Sequence, residues 1–296
     1  MQVLALGATR FDVTYRALVM GILNRTPDSF FDRGGYYAFD AFLRQADQLV
    51  ADGADLLDVG GVKAGPGPEV SEDEELERVV PAVDALATRF GVPISVDTWR
   101  AAVLRAAARA GGAMGNDISG FADPDYLTVA ASTGVSVVAT HIRLAPRVPD
   151  PEPEYPQGVV PAVVDFLTDR AARAEAAGIP RERIVVDAGL DLGKTPAMSL
   201  ELLRASDQLA ALGYPVLLSA SNKRFLGEML GLDVEERRLA TVAAHALGIA
   251  LGCRVLRAHD VRGARRVADV TAAILEARAE RCALATDRGG TGGGHQ

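Results

Sequence analysis

Eight short apolar, β-branched runs recur through the 296-residue chain, at 17–23, 55–59, 93–97, 113–117, 135–140, 183–187, 215–219 and 254–257. Each leads to side chains able to bind or polarise a ligand. In order these are Asn24, Asp58, Asp97, Asn116 with Asp117, His141, Asp187, Lys223, and Arg257 with His259 and Asp260. Carboxylates and amides accept hydrogen bonds from N–H donors, whereas Lys, Arg and His meet acceptor atoms and anions. A set of this kind suits an N–H-rich heterocycle carrying an anionic tail. Taken singly, Asp97 before Thr98 or Asn116 before Asp117 serves equally well as a helix cap. The functional reading depends on all eight positions meeting at one rim.

One rim requires parallel strands in a closed ring. Between the apolar runs the sequence has helical periodicity, for example over 39–51, 72–90, 100–110, 159–177 and 198–212. Gly53, Gly91, Gly178 and Gly213 stand just past these patterns as helix stops, and Ser71 with Glu74 forms a capping box. Eight β-α units predict an α/β chain folded as an eight-fold β/α (TIM) barrel, whose βα loops form a common mouth. A single domain over 1–285 is expected, followed by a disordered glycine-rich tail at 286–296. The stretch 144–157 contains five prolines, so it is read as a surface loop after the fifth strand and not as a helix.

The formal charge of −8 excludes a general polyanion-binding surface, so any anionic ligand must be held by local cations and no nucleic-acid partner is expected. No apolar run reaches bilayer length and the N-terminus lacks a basic-then-apolar leader, which points to a cytoplasmic protein with no membrane partner. Cys253 and Cys282 have neither metal-ligand nor disulfide spacing and are expected to pack as small apolar groups. The segment 189–195 mimics a phosphate-binding loop but has three residues between its glycines where four are needed. The run 65–68 is a turn-rich loop, and His245, on an alanine-rich helix, reads as a packed core or interface residue.

The same residues carry a family resemblance. The stretch from Met20 through Asn24 to Phe30 resembles the first signature of dihydropteroate synthases, and Asp58-Val59-Gly60-Gly61 opens a segment similar to the second. Further matches are Ser95 to Thr98, Asn116 to Gly120, Asp187 with Gly193-Lys194-Thr195, Ser221 with Lys223, and Arg257 with His259-Asp260-Val261. The resemblance implies condensation of a dihydropterin methyl diphosphate with p-aminobenzoate. Carried over by motif, Asp97, Asn116, Asp187 and Lys223 would hold the pterin, while Asn24, Arg257 and His259 would hold the diphosphate and its Mg2+, with Asn24 as the metal ligand. Lys223 and Arg257 would be the catalytic cations, supporting the departing diphosphate. The expected partners are pterin or pterin diphosphate and a second copy of the chain. The apolar helical stretch 238–251 also favours a homodimer.

The match fails at defined places. Where active members continue Glu-Ser-Thr-Arg-Pro-Gly, this chain reads Val62-Lys63-Ala64-Gly65-Pro66-Gly67, so the threonine and arginine are gone. Asn222 replaces the arginine before Lys223. Ala188, Asp191 and Leu192 replace a proline, a glycine and a phenylalanine, and Asp191 adds a charge able to repel an anionic ligand. Thr140-His141-Ile142-Arg143 replaces a methionine-flanked histidine. These changes cluster at the acceptor and closing loops, which predicts a divergent homologue with a pterin-diphosphate pocket and weak or no standard synthase activity. Two alternatives stay open: a working synthase rebuilt through Lys63, Asn222 and Arg224, and a non-catalytic pterin-binding protein.

Overall fold

This computed structural model describes residues 1–25, 35–65 and 67–289. The chain opens with a hairpin that the apolar pattern does not announce, β1 (Val3–Leu6) paired antiparallel with β2 (Thr9–Asp12). Among the described residues, eight parallel strands then close into a barrel in chain order: β3 (Leu18–Asn24), β4 (Leu56–Gly60), β5 (Ile94–Asp97), β6 (Met114–Asp117), β7 (Ser136–Thr140), β8 (Ile184–Asp187), β9 (Val216–Leu218) and β10 (Cys253–Ala258), the last lying beside the first. The expected barrel is thus observed, and no strand end moves by more than one residue.

The outer helices are α1 (Gly35–Ala51), α2 (Glu72–Arg89), α3 (Ala101–Arg109), α4 (Tyr126–Thr133), α5 (Val159–Ala176), α6 (Pro196–Arg204), α7 (Ser206–Ala210), α8 (Arg224–Leu230), α9 (Arg238–Ala250) and α10 (Val261–Gly289). The helical pattern over 198–212 is therefore two helices, broken at Ala205. Ser71 caps α2 by accepting from the Glu74 backbone N–H. No helix among the described residues is long and apolar enough to cross a membrane. The second half of the first signature, 26–30, lies outside the described residues, as do Pro66, residues 290–296 and the side chain of Cys282; Cys253 is buried on β10.

Strand alternation divides the core in two. Val19, Leu57, Val59, Ile94, Val96, Val137, Val186 and Leu256 point outward and pack with the helices. Leu18, Met20, Leu56, Met114, Val138, Val185, Leu217 and Val255 point inward and fill the barrel. The hairpin completes this inner cluster: Leu4, Leu6 and the following Val13 are buried against it. Ser136 Oγ donates to the Ala5 carbonyl oxygen at the base of β7, tying the plug to the barrel wall. The bottom of the barrel is sealed, and polar inward positions occur above this apolar layer.

Candidate functional site

The alternation that fills the barrel below turns Asp58, Ser95, Asp97, Asn116, Thr140, Asp187 and Arg257 inward above it. Asp58 is fully buried and organises the floor: its Oδ1 accepts from Ser95 Oγ at 2.6 Å, and its Oδ2 accepts from Asn116 Nδ2 at 3.2 Å and from Arg257 Nε at 2.7 Å. Arg257 Nη2 reaches Asp97 Oδ2 at 2.9 Å. The guanidinium is therefore clamped between carboxylates from two strands. Among the described residues its Nη1 makes no hydrogen bond and remains available to an anion.

Asp97, Asn116, Asp187, Lys223 and Arg257 line one cavity, so five of the expected side chains are brought together. Thr140, Ile118, Leu192 and Ala64 share its wall. Burial raises the Asp97 carboxyl above the usual range against the opposing pull of Arg257, and burial likewise raises Asp187, opposed by the Gly189 backbone N–H and then by Lys223. Lys223 is lowered by burial, with Asp191 and Asp187 resisting. These are groups taken out of water but kept next to opposite charge, the environment expected for polar recognition of a desolvated ring.

Lys223 is positioned from the neighbouring loop. Its Nζ donates to the Leu190 carbonyl oxygen at 3.0 Å. Asp191, in a left-handed conformation at φ 65°, accepts from the backbone N–H of Arg224 at 2.7 Å and so caps the start of α8. The charge expected to repel an anionic ligand is committed to a helix terminus, where a carboxylate is favourable.

Other polar positions serve the scaffold. Asp117 faces outward and accepts from the backbone N–H groups of Ser119 and Phe121, at 2.6 and 2.9 Å. Asp260 pairs with Arg238 at 2.5 Å. His141 also turns away from the cavity, its ring 4.8 Å from that of Phe166, and its Nδ1 accepts from the buried Lys194 at 2.9 Å. Lys194 donates to the Gly189 and Leu192 carbonyl oxygens as well, so the lysine of the phosphate-loop mimic is spent inside its own loop. Gly189 is required here: at φ +65°, an added Cβ would lie 2.0 Å from the His141 oxygen.

His259 stands at the mouth, exposed, with its Nδ1 3.0 Å from Ser221 Oγ; it does not line the ring cavity. Crowding by protein, then the cations Arg257 and Lys223, lowers its pKa. Asn24 ends β3 exposed, beside Asp97 across Gly60. Asn222 also stays out of the cavity. At φ 54° it donates its backbone N–H to Thr241 Oγ1 and lines a small hollow beside His245. His245 is buried, as its apolar helix suggested.

Above the ring cavity, and sharing Ala64 and Leu192 with it, lies an open groove of about 670 Å³. One wall is the proline-rich loop, irregular as expected, which Tyr155 pins by donating its hydroxyl to the Gly193 carbonyl oxygen at 2.8 Å. Arg147 reaches across to the Pro68 carbonyl oxygen, and Arg224 on the opposite side is largely exposed and paired with Glu228. A ligand buried to its ring in the lower cavity would present its other end to this groove.

Comparison with known proteins agrees with this geometry. The family model described as pterin binding enzyme matches residues 20–259. The inactive dihydropteroate synthase 2 of Mycobacterium leprae is 46% identical over 268 residues, covering 89% of this chain and 92% of that protein. The dihydropteroate synthase of Bacillus subtilis is 41% identical over 262 residues, covering 88% and 89% respectively. The solved structure of the Xanthomonas albilineans dihydropteroate synthase in complex with 7,8-dihydropteroate superposes with a TM-score of 0.82 at 37% identity, over 92% of this chain and 98% of that one.

The buried His141–Lys194 contact predicts a pH dependence of stability. Burial, then the Lys194 charge, pushes His141 from its ordinary 6.5 down to about 3. Between these values the unfolded chain binds the extra proton, so the His141 contribution to stability is complete above about pH 6.5 and is lost as the pH drops. Chemical denaturation at pH 7 and pH 5 should show the wild type losing about 2 kcal/mol more than His141→Gln. Equal losses in the two proteins would show that the imidazole is not held neutral.

Proposed function

Because the chain belongs to the dihydropteroate synthases, a family of pterin-binding enzymes, we propose that it keeps a pterin-diphosphate pocket and performs little or no standard condensation with p-aminobenzoate. The observation that carries this reading is the contrast between two levels of the mouth. Below, Asp97, Asn116, Asp187, Lys223 and Arg257 converge on one cavity. Above, Ala64 and Gly65 supply no polar side chain, Leu192 supplies no aromatic face, and Asn222 is turned to the far side of its loop.

In the proposed pose the carboxylates and the Asn116 amide accept from the ring's N–H groups, and the Lys223 ammonium donates to its acceptor atoms. Arg257 Nη1 and His259 face the diphosphate. As the C–O bond breaks, the ring delocalises the positive charge and Arg257 and Lys223 favour the departing anion. An amine acceptor must then approach from the groove, and the part of its wall formed by Ala64, Gly65 and Leu192 has no side-chain donor to orient it. Removal of one preorganised donor costs about a hundredfold to a thousandfold in rate, so the joint loss would bring activity near background.

Magnesium fits as an ion carried by the diphosphate. Among the described residues no group of three His, Cys, Asp or Glu side chains converges to hold a metal. The exposed Asn24 amide would supply one oxygen and the diphosphate and water the others, as suits this ion. The reading also includes a cytoplasmic homodimer. Its support is an apolar surface on α9 and α10, where Leu239 is 81% exposed and Leu247, Val270 and Ile274 are also uncovered.

Three measurements test these proposals. Asp97→Ala is expected to weaken pterin binding about tenfold or more in calorimetry, since a charge-assisted hydrogen bond contributes about 1.5 to 3 kcal/mol; unchanged affinity in a folded variant would leave Asp97 a purely structural group. Steady-state turnover of pterin diphosphate with p-aminobenzoate should be near background and should become measurable in the triple variant Ala64→Thr, Gly65→Arg, Asn222→Arg. Gly65 has open space around it, but arginine at position 222 must tolerate φ +54°, which costs about 1 kcal/mol. Ordinary family-level turnover by the unmodified protein would favour the working synthase. Light scattering should give twice the chain mass at micromolar concentration, and a monomer for Leu239→Glu; a monomeric wild type refutes the dimer.

A further inference from the structure

Thr140 ends β7, in register with Asp187 on β8 and one strand away from Asn116 on β6, and all three line the ring cavity. Its neighbours are anchored. Asn116 Nδ2 donates to Asp58 and Asp187 Oδ1 accepts from the Gly189 backbone N–H at 2.8 Å, which leaves each an oxygen for a ligand. Thr140 is 1% exposed, and its Oγ1 has no hydrogen-bond partner among the described residues.

A buried hydroxyl without a partner is a standing cost, and valine has nearly the same shape, equal preference for a strand, and no such cost. The residue stands in the cavity wall beside two committed polar groups, with its hydroxyl oxygen buried. Threonine has other staggered wells, so a single χ1 step can carry the oxygen toward a ligand. Asp187, as a carboxylate, only accepts, so the ligand atom beside it must be a donor. An exocyclic amino group has two N–H bonds, one for Asp187 and one for an acceptor on the adjacent strand.

We infer that Thr140 is a specificity-determining residue of the ring cavity, its hydroxyl accepting the second N–H of an exocyclic amino group held by Asp187. The inference rests on the pterin reading of this cavity. It makes the site selective for an amino-substituted pteridine over the oxo counterpart, because an oxo oxygen would face the Asp187 carboxylate, which has no donor to offer it, and carries no N–H for Thr140 to accept.

Calorimetry with pterin and with lumazine, its 2-oxo counterpart, tests this on wild type, Thr140→Val and Thr140→Ser. Thr140→Val should bind pterin about tenfold more weakly and lumazine no differently, and Thr140→Ser should retain wild-type preference. Without ligand, Thr140→Val should melt about 2 °C or more above wild type, because it removes an unsatisfied buried group. Undiminished pterin affinity in Thr140→Val overturns the inference, and so does a lower melting temperature of that variant, which would mean that the fold itself satisfies the hydroxyl. A wild type that binds neither ring overturns the pterin reading, and this inference with it.

Discussion

The arrangement of the mouth depends on one largely enclosed cation. Arg257 reaches from β10 across the barrel to Asp58 on β4 and Asp97 on β5, at 2.7 and 2.9 Å. A guanidinium taken out of water is tolerated only when its donors are matched in direction as well as charge, and the planar fork supplies that match where a lysine would not. Asp58 also accepts from Ser95 and Asn116, so moving the arginine disturbs four strands. Clamped in this way, the cation keeps a fixed direction and offers its remaining edge to an anion without further ordering. The same clamp makes the floor costly to change, since removing either carboxylate would strip the guanidinium of one of its two charged partners.

The upper loops are under no comparable constraint. Ala64 and Gly65 belong to a partly exposed loop and carry none of the floor's hydrogen bonds, so their identities can change with little effect on folding. The loop after β8 is more firmly built, through Lys194, Asp191 and Tyr155, but its contacts serve its own shape and the start of α8. Chemistry that depends on the upper level can therefore be lost while the barrel and its ring cavity persist.

The barrel was legible because its strands are short apolar runs separated by helix-period segments, and packing on both faces leaves such runs little freedom of placement. The cavity set was legible for the same reason: Asp97, Asn116, Asp187 and Arg257 end strands on inward positions. Misplacement arose where one residue of register decides the face. Asn116 points in and Asp117 out, although both read as polar strand ends, and at the fifth strand the inward residue is Thr140 while His141, the one read as the strand-end ligand, points out. Asp191 looked like a repulsive charge because no local pattern reveals that a residue 33 positions later begins a helix against it. The hairpin was missed because its four-residue strands give too few alternations to read, and because it is stabilised by the barrel bottom, a contact distant in sequence.

That hairpin has a kinetic consequence. With Leu4, Leu6 and Val13 sealing the lower end, the barrel is a blind well and not a channel. A ring seated among Asp97, Asn116 and Asp187 arrives and departs through the same opening that any second molecule must occupy. Two ligands sharing this well would have to bind in order, the deep one first and the shallow one second. A shallow ligand that arrives early obstructs the well, and one that lingers traps what lies beneath it. A ligand in the upper groove would therefore lengthen the stay of one in the lower cavity, whether or not the two are ever joined.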